Sequence, residues 1–198
     1  PEQRTRLQPP ARPASLPGVG LKRLVNAGVL AGWGWLDRVG QIVPGTRAAD
    51  GFGSFGDGTL IGFPTASLVG THAMHFGAET LVGRQATLAA GWGPGDPHVP
   101  ARALVVGDRC VLGARITILA HQSVEIGDAV WFGQDIFVSD SGHGYQDPTR
   151  PIGEQFGSVQ PVRIGSGSWL GHGSIVLPGA QIGRNVVVAA GSVVRGVI

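Results

Sequence analysis

The chain has 198 residues, including 34 glycines and 14 prolines; 42% are hydrophobic, only 14% are charged, and the formal net charge is +2. Glycine never holds every third position, which excludes collagen, and aliphatic residues run through the C-terminal two-thirds, which excludes simple disorder. At a cost of about 1 kcal/mol per helix-interior site, so much glycine also disfavours a helical bundle. A turn-rich β architecture remains. The basic residues form no stripe, so no nucleic-acid partner is expected. The single cysteine, Cys110, allows no internal disulfide and fits a reducing cytoplasm.

In chain order, residues 1–17 are rich in proline and arginine and read as an extended arm. Leu21, Leu24, Val25, Leu36 and Val39 then fall at helical spacing. They predict a short helix, broken near Gly32 and Gly34, that packs on the main domain or a neighbouring subunit. Contact with a membrane surface is the second reading. The apolar stretch from Val25 to Leu36 is too short to span a bilayer, so no transmembrane segment is expected. Residues 1–51 are therefore assigned to an arm and a short helical segment, and residues 52–198 to the main domain.

From residue 52 a period of six takes over. Ile164, Leu170, Val176, Ile182, Val188 and Val194 keep it strictly, and Val106, Leu112, Ile118 and Val124 form a second run. The frame then slips by two residues to Ile126, Phe132 and Val138. Many of these aliphatics are followed directly by glycine. A period of six suits neither an ordinary strand nor a helix. It predicts one short strand plus one corner per hexad, with three hexads closing a triangular coil around inward aliphatics. The glycines are expected at the corners. Residues 90–103, with prolines at 94 and 100, are expected to form a bulged coil that shapes a cleft through Trp92 and His98.

The segment Pro161–Val194 resembles the C-terminal coils of galactoside, maltose and polysaccharide O-acetyltransferases. Val138–Gln155 resembles the histidine-bearing loop of the colanic-acid and lipopolysaccharide branch. Residues 52–198 are thus similar to the hexapeptide-repeat acyltransferases. This implies a mainly β fold, a left-handed parallel β-helix, with the arm, the short helix and one large protruding loop at residues 139–163. It also implies a homotrimer, acyl-CoA as co-substrate, no metal, and a saccharide or glycan acceptor.

The loop breaks the hexad frame once in a large way, and loops on rigid scaffolds often carry function. Acyl transfer from a thioester to a hydroxyl needs a base near neutral pH, and histidine suits it. His143, in the motif Asp140-x-x-His143, matches the family's catalytic histidine. His121, Asp140 and Tyr145 are the expected acceptor-side residues; His121 stands where the galactoside enzymes carry an acceptor-binding aspartate. On the donor side the resemblance points to Trp169, near the thioester end, and to Ala190, Gly191 and Arg195 along the coenzyme A turn. His172 joins them, where relatives have a small residue. Asp147, Arg150, Glu154 and Gln155 are expected mostly to hold the loop. The same base and donor would serve N-acylation of an amino sugar. A γ-class carbonic anhydrase would need two histidines five apart and a third converging on one metal; His72, His75, His98, His121, His143 and His172 lack that pairing. A non-catalytic scaffold is the remaining alternative.

Overall fold

The computed structural model describes residues 19–198; the arm expected at residues 1–17 lies outside them. The chain divides into two units, the second beginning at Asp37. Helix α1 spans Val19–Gly40 without interruption. The expected break at Gly32 and Gly34 does not occur: each glycine costs a helix only about 1 kcal/mol, and no proline removes a backbone donor. The large apolar side chains of α1, from Leu21 to Val39, are exposed.

The second unit contains eighteen short strands, β1 (Ser54–Phe55) to β18 (Val193–Val194). They form three parallel six-stranded sheets, each taking every third strand along the chain, the first starting from Ser54–Phe55, the second from Leu60–Ile61 and the third from Ser67–Val69. These are faces one, two and three of a left-handed β-helix with six coils. The register explains the hexads. Phe76, Val106, Ile126 and Ile164 stack on face one, Val82, Leu112, Phe132 and Leu170 on face two, and Leu88, Ile118, Val138 and Val176 on face three. All are buried and fill the prism.

Where glycine follows an aliphatic, it answers close packing between coils. A Cβ on Gly83 would lie 2.6 Å from the Ala114 nitrogen, so this position is small because the next coil presses on it. The left-handed bend falls two residues later and is often not glycine: φ is +54° at Arg109, +53° at Ala129, +59° at Asp135 and +55° at Asn185. One corner is laced by side chains from inside. Thr80 Oγ1 donates to the Gly107 carbonyl at 2.8 Å and accepts from the Cys110 amide at 3.0 Å. Ser168 Oγ repeats the pattern, donating to the Gly183 carbonyl and accepting from the Val186 amide.

Interruptions of the frame all fall at the corner from face three back to face one. There β6 (Thr87–Ala90) leads to β7 (Leu104–Val106) through residues 91–103, and β9 (Thr117–Ala120) leads to β10 (Val124–Ile126) through residues 121–123. From β12 (Phe137–Ser139) to β13 (Val162–Ile164) the connection is residues 140–161. The expectation of a bulged coil at residues 90–103 is therefore corrected. No coil is spent there; Leu88 and Val106 belong to successive coils, and the intervening residues project from the corner.

Candidate active site

Stacking brings three successive connections of this corner together. From the loop at 91–103 comes Trp92, whose amide donates to Asp96 Oδ2 at 3.0 Å. The Trp92 and His98 amides both donate to Asp96 and hold its carboxyl below the usual range. From the short turn comes His121, and Trp92 lies against its ring with centroids 4.0 Å apart. The large loop supplies Asp140, Ser141, His143 and Phe156. Its base is a small ladder: the Gly144 amide donates to the Gln155 carbonyl at 2.9 Å, and the Gly157 amide to the Gly142 carbonyl at 3.0 Å. His143 and Phe156 face each other across it.

Within this set, His121 and Asp140 form a dyad. Asp140 is fully buried. Its Oδ1 accepts from the His121 amide at 2.9 Å, and its Oδ2 accepts from the amides of Gln122 at 2.7 Å and Ser123 at 2.8 Å. His121 Nδ1 lies 3.1 Å from Oδ1 and 2.8 Å from Ser141 Oγ. A carboxylate that collects amide donors is an acceptor, so the imidazole turns its Nδ1 side to Asp140 and its Nε2 side away. The motif aspartate is thus committed to fixing the turn and the imidazole.

His121 and His143 line one cleft of about 300 Å³, with Trp92 and Phe156 as walls and Leu119 and Phe137 of face three beneath. Trp92 and Phe156 meet edge to face at 6.2 Å. Tyr145 lies outside this cleft. It lines an adjoining hollow of about 490 Å³ that His143 and Phe156 share. A larger groove of about 720 Å³ runs over Val105, Glu125 and Arg163 on face one and contains none of the expected site residues.

Loop-holding is visible in the hydrogen bonds. Gln155 Nε2 donates to the Asp147 and Arg150 carbonyls at 2.8 and 3.0 Å, and Arg150 reaches the Glu154 carbonyl at 2.8 Å. The Thr149 hydroxyl and amide hold the Asp147 carboxyl below its usual range.

The donor-side candidates are dispersed. His172, Ala190 and Gly191 share the corner between faces two and three, where the Gly191 amide donates to the His172 carbonyl at 2.9 Å. His172 Nε2 stands 3.6 Å from Asp135. Arg195 follows β18 on face three and is exposed. Trp169 stands on the outside of face two, paired with Trp131 and Val187, away from the cleft. Sequence reading missed Phe156 altogether. Trp92 had been singled out, but its place beside His121 depends on the stacking of coils.

A three-sided parallel β-helix with a histidine cleft at one corner defines the class. A family model described as bacterial transferase hexapeptide (six repeats) matches residues 161–196, and one described as hexapeptide repeat of succinyl-transferase matches residues 103–131. These two segments of the chain are thus similar to the hexapeptide repeats of transferases. A probable acetyltransferase of Mycobacterium tuberculosis is 40% identical over 96 residues, 48% of this chain and 32% of the relative. Galactoside O-acetyltransferase of Escherichia coli is 33% identical over 89 residues, 45% of this chain and 43% of the relative. The chain spans less than half of the length of these relatives. Among solved structures, a variant of AntD, an N-acyltransferase from Bacillus cereus in complex with dTDP and coenzyme A, superposes with a TM-score of 0.65. It is 19% identical, and the match covers 80% of this chain and 81% of that one, which shows a shared fold.

Proposed function

We propose that this chain transfers an acyl group, acetyl by default, from acyl-coenzyme A to a hydroxyl of a saccharide or glycan precursor. The observation that carries this reading is the convergence of His121 and His143 in one aromatic-walled cleft. Trp92 and Phe156 offer apolar faces of the kind on which a sugar ring stacks. His143, exposed on its loop, takes the proton of the attacking hydroxyl as the oxygen adds to the thioester carbonyl. Collapse of the tetrahedral intermediate expels the coenzyme A thiolate, which receives that proton. No acyl-enzyme forms.

Pantetheine suits the corner of His172, Ala190 and Gly191, where small residues leave the backbone open. Arg195 offers a cation for a phosphate. Trp169 serves the donor only if the bound arm crosses onto face two. We further assign a homotrimer in the cytoplasm, a setting in which the buried thiol of Cys110 stays reduced.

The dyad favours a second assignment of the base within the same reaction. A histidine oriented by a buried carboxylate is a common way to prepare a base, and His121 has that partner while His143 does not, among the described residues. Thiol release from acetyl-CoA, measured against a panel of sugars and amino sugars, tests both readings. His143→Ala is expected to fold normally and to lose about 10²–10⁴ in turnover. Full activity in that variant, with loss in His121→Ala, assigns the base to His121. Exclusive use of amine acceptors would replace O- by N-acylation.

A further inference from the structure

The repeat domain accounts for neither helix α1 nor the distribution of charge. At 100° per residue, Leu21, Leu24, Val25, Val29, Leu36 and Val39 share one side of α1 with Trp35, and all are exposed. Lys22, Arg23, Asn26, Asp37 and Arg38 lie on the other half of the circumference, together with Leu30 and Trp33. Asp37, the only acid of the helix, is 3.6 Å from Arg84, so the remaining charge of the helix is positive. Residues 1–40 carry six Lys and Arg against two Asp and Glu, whereas residues 41–198 carry nine against eleven. The positive excess of the whole chain therefore lies in its first forty residues.

We propose that α1 docks along the surface of an anionic phospholipid bilayer. Its apolar side would enter the boundary between headgroups and acyl chains, with the basic residues meeting lipid phosphates. Charge selects this occupant over an apolar protein groove, because the cations sit beside the apolar side and the rest of the chain is net acidic. Length selects lying over crossing. The charge-free stretch Leu24–Leu36 spans roughly 20 Å at 1.5 Å per residue, against about 30 Å of hydrocarbon. No helix among the described residues is long and apolar enough to cross a membrane. Trp33 and Trp35 are of the type that settles at the headgroup level.

The test is sedimentation of the full chain with phosphatidylcholine vesicles, with and without phosphatidylglycerol, at low and high salt. It needs no substrate and does not depend on the transfer reaction. Binding is expected only with phosphatidylglycerol and is expected to fall as salt rises. Lys22→Glu with Arg23→Glu should weaken it by about tenfold or more. Leu24→Glu with Leu36→Glu should abolish it while leaving the mass in solution unchanged by light scattering. Equal binding to both kinds of vesicle overturns the proposal, as does binding that survives Leu24→Glu with Leu36→Glu. A fall in oligomer mass in that variant, with no vesicle binding by the parent chain, would overturn it by giving the surface to a second copy.

Discussion

Asp140 shows how one side chain can set a site without facing it. Its two oxygens accept three backbone amides and the His121 ring. Asparagine in its place would turn an NH₂ group toward amides that need an acceptor. Asp140→Asn is expected to cost about 2–3 kcal/mol in urea unfolding and to lower transfer with it, because His121 loses its orientation. A variant of unchanged stability would show that the turn is held by other means. Burial raises the pKa of the Cys110 thiol, and the residue is inaccessible. Cys110 should therefore resist a thiol reagent in the folded chain and react fully on unfolding. At the surface, hydrogen bonds from Arg115, both at 2.7 Å, hold the Asp135 carboxyl below its usual range. A depressed folded value adds stability above the unfolded carboxylate range, and that stability is lost as pH falls through the folded value. The pair is exposed, so the effect is small. Arg115→Gln should flatten that part of the acid unfolding curve.

At the scale of the element, each hexad is a strand too short to be stable alone, and its worth lies in the coil above and below. The threonine and serine ladder inside one corner ties coil to coil where aliphatics cannot. Thr80→Val keeps the volume but leaves the Gly107 carbonyl and the Cys110 amide without their partner. It should cost about 2–4 kcal/mol by denaturant titration, two buried groups being orphaned. Gly83→Ala acts through backbone. Its Cβ would lie 2.6 Å from the Ala114 nitrogen, so the coils must part locally, and soluble yield and melting temperature should both fall. Helix α1 belongs to another regime, since glycine within it meets nothing within 4 Å at Gly28 or Gly32.

For the whole molecule, the site is a product of stacking. Trp92, His121 and His143 are separated along the chain, yet each leaves the β-helix at the same corner in successive coils. The hexad spacing made the coils legible, because an inward aliphatic must recur at every side of a triangular prism. The break after Val138 made the His143 loop legible, because a regular coil has no use for histidine, tyrosine and proline there. The partner of His121 was not legible. Asp140 looks like a motif residue in the chain, and only the fold turns its carboxylate inward onto the 121–123 turn. Phe156 carried no signal, since a phenylalanine in a loop reads the same whether it walls a cleft or covers a core.

The sequence by itself determined the β-helix, its six-residue sides and the loop that bears His143, because these follow from local periodicity and its interruption. Tertiary structure decided that three separate irregularities form one cleft and that glycine answers the pressure of the next coil. It also gave His121, rather than His143, the buried carboxylate. These depend on which residues lie a coil apart, a distance that spacing along the chain does not reveal once connections at a corner differ in length.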